Sequence, residues 1–264
     1  MRILVVGDPH GKLIGKIPKD IDLIIITGDL GKSDLARKLA FRNIERRKKG
    51  LPELKETRGK IKKELFEVYD SAIKVAKFYS GIAPTYSIMG NVWNNDEGIK
   101  KDEKKYRIKL PYLNRDLRKI RNFSLVKNNI RNIRGLKIGF LEYFLDVNWI
   151  KEFYSGNKEM MKRARKETEK ARRILKWFAK NKIDVLVCHQ PPYGILDKVT
   201  AKFAPKHWKG KHAGSKVILD YIKKYQPKYV FCGHIHEGKG KKNIGKTEVI
   251  NAGCCEDYFT VEIK

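Results

Sequence analysis

Arg2-Ile3-Leu4-Val5-Val6-Gly7-Asp8-Pro9-His10-Gly11 opens the chain, and its two halves do different things. The first half is a continuous apolar, β-branched run. Such a run reads as a strand buried on both faces, as in a parallel sheet covered by other layers. The second half is a turn with glycine at either end. It carries a carboxylate and an imidazole two residues apart, a spacing that lets both side chains face the same side of an extended segment. Alone, Asp8 and His10 would be an ordinary turn. The pattern recurs, however: Gly28-Asp29 follows an apolar run at 23–27, Gly90-Asn91 one at 85–89, His189 one at 185–188, and Gly233-His234-Ile235-His236 one at 229–232.

Further strands are predicted at 137–141, 248–251 and 258–263, with helices at 33–49, 53–79, 158–181 and 215–225. Ser33 or Asp34 would cap the first helix, and Gln226-Pro227 would end the last. Strands alternating with helices give an α/β fold. The 264 residues show no repeat and no low-complexity linker, so a single domain over 1–264 is expected, with a basic helical insertion at 33–80.

Asp8, His10, Asp29, Asn91, His189, His234 and His236 thus form the candidate site. Four of the six histidines fall at strand ends, where ligands of open α/β sheets bind. Carboxylate, amide oxygen and imidazole together suit two divalent ions from the set Mn, Fe, Zn, Co and Ni better than Ca or Mg. That makes phosphoester hydrolysis the first hypothesis.

The chain carries 59 Lys and Arg against 30 Asp and Glu, a net charge of +29, which attracts polyanions and makes nucleic acid a candidate partner. A charge-rich composition also suits proteins of hot environments. Neither signal peptide nor membrane-length apolar run is seen, and the four cysteines make no C-x-x-C pair. A cytoplasmic protein with reduced, buried thiols and no membrane partner is expected.

The motif string GDPHG, GDL, GN, CHQPP and GHIHEGKG resembles that of the calcineurin-like metallophosphoesterases, in the same order and across nearly the whole chain. His212-Ala213-Gly214-Ser215 and Asn251-Ala252-Gly253 look most like the branch of Icc-type cyclic-nucleotide phosphodiesterases. The resemblance implies a four-layer αββα sandwich. It also implies one ion held by Asp8, His10, Asp29 and His236 and a second by Asp29, Asn91, His189 and His234, with Asp29 bridging. Catalytic weight would fall on Asp29, Asn91 and His189. In such two-ion sites the ions, about 3.5–4 Å apart, activate a shared water and clamp an in-line displacement. The implied reaction is hydrolysis of a phosphodiester, or a phosphomonoester, by a metal-bridging hydroxide.

One position departs from the family pattern. Where many members read Gly-Asn-His-Asp or Gly-Asn-His-Glu, this chain reads Gly90-Asn91-Val92-Trp93. The histidine credited with protonating the leaving group is missing, and loss of a general acid costs about 10²–10⁴-fold. His207 and His212 sit in a lysine-rich loop and read as surface residues. Two competing functions follow: a non-catalytic metal-binding scaffold, and a nucleic-acid-binding nuclease of the same fold.

Overall fold

Alternate residues of the first strand go to different cores. In the computed structural model, which describes every residue except Asn94, Ser155, Phe203 and Lys264, β1 (Arg2–Val6) sends Leu4 and Val6 to one side and Ile3 and Val5 to the other. β2 (Leu23–Ile26) does the same with Ile24 and Ile26 against Leu23 and Ile25. Two buried faces explain why these runs are apolar throughout rather than alternating.

The first sheet adds β3 (Thr85–Ser87), β4 (Phe123–Leu125) and β11 (Tyr258–Glu262), in the order β11-β1-β2-β3-β4. β1 to β4 are parallel and β11 is antiparallel. The second sheet consists of β5 (Asn129–Ile133), β6 (Leu136–Leu141), β7 (Val185–Cys188), β8 (Tyr229–Cys232), β9 (Gly240–Ile244) and β10 (Thr247–Asn251). Its order is β5-β6-β7-β8-β10-β9, parallel except at the two edges. The inner core packs Ile3, Val5 and Ile25 against Phe140, Val187, Phe231 and Ile250.

Helices cover both outer faces. α1 (Asp34–Lys48) and α2 (Arg58–Ser80) lie between β2 and β3, and α2 buries Val68, Ala72, Val75 and Tyr79 on the first sheet. α3 (Asp96–Tyr106) and α4 (Leu113–Leu117) join it there. α5 (Val147–Phe153) follows the second sheet's β6, while α6 (Lys158–Lys180) and α7 (Lys216–Tyr225) pack Leu175, Phe178, Ile218 and Ile222 on that sheet's outer face. The layers are helix, sheet, sheet, helix, the expected αββα sandwich. Among the described residues, no helix is long and apolar enough to cross a membrane.

The sequence missed β4, β5, β9, α3, α4 and α5. β4 has three residues, and β5 and β9 are half-exposed edge strands whose burial shows no clean alternation. α2 begins five residues later than predicted. Thr57 caps it by accepting from Lys60 N at 3.3 Å, and 51–56 is held extended along α1, with Leu54 N bonded to Asn43 Oδ1 at 2.9 Å. Ser33 precedes α1 but makes no side-chain cap bond. Cys188 and Cys232 are buried as expected; Cys254 and Cys255 are only half-buried, in the loop beside Asp8.

Candidate metal centre

Six parallel strands of the two sheets, β1, β2, β3, β7, β8 and β10, end at one rim, and the candidate residues lie just beyond their C-terminal ends. The loops after β1 and β2 are zipped together by His10 N to Asp29 O (3.0 Å) and Gly11 N to Leu30 O (2.9 Å). The loop after β10 grips Asp8 from the other side: Asp8 N donates to Gly253 O at 3.0 Å, and Cys255 N donates to Asp8 O at 2.8 Å. This meshing fixes three unusual backbones. His10, Asp29 and His234 have φ of 46°, 33° and 66°, in the left-handed region. For residues with a side chain that conformation costs about 1–3 kcal/mol each and persists where surrounding bonds hold it.

Glycine is required where side chains crowd. A Cβ on Gly28 would fall on the His189 ring, and one on Gly90 would fall on the Asp29 carboxylate. The motif glycines therefore make room for the neighbouring motif's donor atoms.

Asp8 is fully buried. Its Oδ1 accepts from Thr27 Oγ1 at 3.1 Å, and its Oδ2 accepts from the backbone N of His234 and lies 3.5 Å from His236 Nε2. His10 Nδ1 faces Gly31 O at 3.3 Å, and His189 Nδ1 faces Thr27 O at 3.0 Å. A carbonyl can only accept, so in neutral rings the proton sits on Nδ1 and the Nε2 lone pair points inward. Metal-binding histidines are commonly oriented by such an outer partner.

Inward, those lone pairs meet other acceptors. His10 Nε2 lies 3.2 Å from His236 Nε2 and 3.9 Å from Asp29 Oδ2. His189 Nε2 lies 2.8 Å from Asn91 Oδ1 and 3.6 Å from the same Asp29 Oδ2. Apart from the Nε2–H that His236 turns toward Asp8 and the Arg37 Nη2 beside His10 Nε2, acceptors here face acceptors, an arrangement that divalent cations resolve and that the donor set fits.

The seven residues are brought together, though not evenly. Asp8, His10 and His236 form one cluster whose donor atoms lie within 4.8 Å of one another, and Asp8, Asp29 and His189 form another. Asp29 reaches toward both His10 and His189, as a bridging residue would, and Asp8 is shared by the two clusters. Asn91 stands against His189. His234 packs its ring 4.8 Å from that of His189, but its nitrogens fall outside both clusters.

Electrostatics keeps Asp8 ionised and His234 and His10 neutral, the forms that bind a cation. Burial pushes the Asp8 carboxyl up, but the charges of His189, His236 and His10 together outweigh it and hold the pKa well below the usual range. Burial and the nearby His189 hold His234 neutral, and burial also lowers His10. His236 moves the other way: burial would lower it, and the hydrogen bond and charge of Asp8 prevail.

Several contributors were not anticipated. Tyr143, just after β6, packs its ring 5.8 Å from both His189 and His234, and Trp149 lies 5.4 Å from His234. The end of β6 resembles the other motif-bearing strand ends, so Tyr143 had a detectable signal. Arg37, 3.3 Å from His10 Nε2 through Nη2, was hidden among the chain's many basic residues. Trp93 is buried in the core under α2, His212 pairs with Asp197 at 2.7 Å, and Tyr193 packs against His212. Among the described residues lining the groove at the site, neither His207 nor His212 occurs.

Comparisons with known proteins bear on the family and the fold. A UPF0046 protein of Caenorhabditis elegans is 36% identical over 75 residues, 28% of this chain and 23% of its own. Human metallophosphoesterase domain-containing protein 1 is 35% identical over 74 residues, 28% of this chain and 21% of its own. The matched stretch thus spans about a fifth of these relatives' lengths. One solved structure superposes over 98% of this chain and 94% of its own with a TM-score of 0.60 at 18% identity. The phosphopantetheinyl hydrolase of Mycobacterium tuberculosis does so over 96% and 89% with a TM-score of 0.51 at 14% identity; at such identities the likeness is one of fold. The model of the calcineurin-like phosphoesterases matches residues 1–238, and the chain belongs to that family.

Proposed function

We propose that the protein is a metal-dependent phosphohydrolase that cleaves a small phosphodiester in preference to a monoester. The observation that carries this reading is the inward convergence of Nε2 and carboxylate lone pairs behind Nδ1 protons anchored on Thr27 O and Gly31 O. Asp8, His10, Asp29, Asn91, His189, His234 and His236 would hold two divalent ions, with manganese the first to test. Bound there, the ions would supply an acidified water as nucleophile and neutralise charge on the phosphoryl oxygens.

The protein's own groups do the rest. Thr27 and Gly31 fix the ring orientation of His189 and His10, so these two rings already turn Nε2 toward Asp29. Val92 offers Asp29 a backbone N–H at 3.0 Å but no side-chain proton. The leaving group therefore departs without a general acid at that position, which favours substrates with acidic leaving groups. A diester has one fewer ionisable oxygen than a monoester and suits a site without that donor. The sequence likeness around 212–215 and 251–253 favours the Icc-type branch. We further read 1–264 as one domain acting in the cytoplasm.

The test is hydrolysis of bis(p-nitrophenyl) phosphate by protein loaded with Mn, Fe, Zn, Co or Ni in turn. Turnover that disappears in Asp29→Ala and His234→Ala supports the reading. A well-folded protein that binds these ions and turns over no phosphoester would instead be the non-catalytic scaffold.

A further inference from the structure

The site opens into a groove of about 370 Å³ with a lining unlike a track for a polyanion. Phe41 and Ile44 of α1 form one wall. Trp149, Tyr154, Val199 and Trp208 form the other. One end of the groove is the metal rim itself, at Asp29, Asn91, His234 and His236. Trp149 joins the two: its ring lies 5.4 Å from that of His234 and 5.7 Å from that of Trp208.

Two polar features stand out in this apolar setting. Arg37, where α1 crosses the rim, places Nη2 3.3 Å from His10 Nε2 and is the one lysine or arginine among the described lining residues. Trp208, 6% exposed, has an Nε1–H that is buried with no hydrogen-bond partner among the described residues. The Glu237 carboxylate also lines the groove, but its Oε1 is engaged by Thr200 N at 2.7 Å and Ala201 N at 2.8 Å.

We propose that this groove is the subsite for an aromatic ring carried by the phosphoester, with Arg37 bonding a phosphoryl oxygen at the rim and the Trp149 and Trp208 rings packing on the aromatic group. The assignment rests on the phosphohydrolase reading above and adds the class of substrate: a small aryl phosphoester. The volume suits one ring system and falls in the lower part of the range of about 300–1,000 Å³ typical of small-ligand pockets. The aromatic walls supply edge and face contacts to a flat group. Arg37 offers a forked, permanent cation suited to phosphate oxygens. An aryl leaving group is acidic enough to depart without the proton donor that Val92 fails to provide.

The experiment is calorimetric titration of the manganese-loaded full chain with phenylphosphonate, methylphosphonate and inorganic phosphate, with tryptophan fluorescence as a second readout. Phenylphosphonate should bind about tenfold or more tighter than methylphosphonate, from the apolar area its ring buries, and should perturb the fluorescence. Arg37→Ala should weaken both phosphonates by about tenfold, with part of the loss restored in Arg37→Lys. Ala40→Trp narrows the groove from the exposed side of α1, so the fold is not at stake; it should erase the phenyl preference. Equal affinity for the two phosphonates would overturn the subsite while leaving the phosphohydrolase reading intact. Failure of all three ligands to bind would overturn the subsite, while turnover of bis(p-nitrophenyl) phosphate decides the phosphohydrolase reading separately. Displacement of phenylphosphonate by a single-stranded oligonucleotide at far lower concentration than by phosphate would overturn the subsite in favour of a nucleic-acid surface.

Discussion

The strand-end rim and α1 face each other across the same groove, yet they are built on opposite principles. At the rim, donor atoms are buried, three side-chain-bearing residues hold left-handed backbones, and glycines leave no space for a Cβ. α1 buries no residue at all and meets the groove through Ala36, Arg37, Ala40, Phe41 and Ile44 on one side. Chemistry that requires fixed donors occupies the over-determined part of the fold. One wall of the groove thus sits on a helix that can change sequence without unfolding the core, while the other wall belongs to a buried cluster.

The largest expected effect comes from the rim. Asp29→Ala removes the carboxylate that faces both His10 and His189. Metal content should fall and phosphodiester turnover should drop by more than the 10–100-fold typical of losing an outer-shell partner. Elemental analysis beside a p-nitrophenyl assay measures both. Full retention of metal would mean that Asp29 does not bridge the two ions.

Gly90→Ala should weaken metal binding by about 10–100-fold, because its Cβ would land on the Asp29 carboxylate. Its counterpart is Gly59→Ala, in α2, where a Cβ meets nothing within 4 Å. That change should leave metal binding alone and stabilise the helix by less than about 1 kcal/mol. Thermal melts and metal titrations of the pair separate crowding at the rim from an ordinary glycine effect.

Val92→His sharpens the comparison from the catalytic side. If the rim is competent and lacks only a proton donor, the variant should gain about tenfold or more on alkyl leaving groups, short of the full 10²–10⁴-fold effect of an evolved general acid. Little change is expected on nitrophenyl leaving groups. The ratio of kcat/KM for methyl and p-nitrophenyl esters reads this directly.

The smallest effect lies beneath α1, on α2. Burial, and then the hydrogen bond and charge of Glu56, push the Glu64 carboxyl up to about 7. A folded-state pKa above the unfolded 4.5 means a contribution fully present below about 4.5 and lost as pH rises through about 7. Glu64→Gln should therefore flatten the change in urea midpoint between pH 5 and pH 8. An unchanged slope would place the charge of Glu64 in water rather than under the helix.

What the sequence revealed follows the same division. Strands buried on both faces announce themselves as unbroken apolar runs, and their ends can be read residue by residue. That is why Asp8, Asp29 and His189 could be named before any coordinates. Edge strands β5 and β9 lack such runs, and the short helices α4 and α5 hold too few residues to show a period. Arg37 was unreadable for another reason. Nothing local distinguishes it from Lys38 or Arg42; only the path of α1 across the rim brings it to His10. The partners of the histidine rings are backbone carbonyls of Thr27 and Gly31, and a carbonyl has no side-chain identity to read.

The central claim is that side chains from separate strand ends hold two divalent ions around Asp29. Anomalous scattering at the manganese edge, from a crystal grown with Mn²⁺, tests it most directly. Two peaks flanking the Asp29 carboxylate, one toward His10 and His236 and one toward His189 and Asn91, are the result this account requires. Absence of both peaks from that rim, in a crystal whose other features match the fold described, would contradict it.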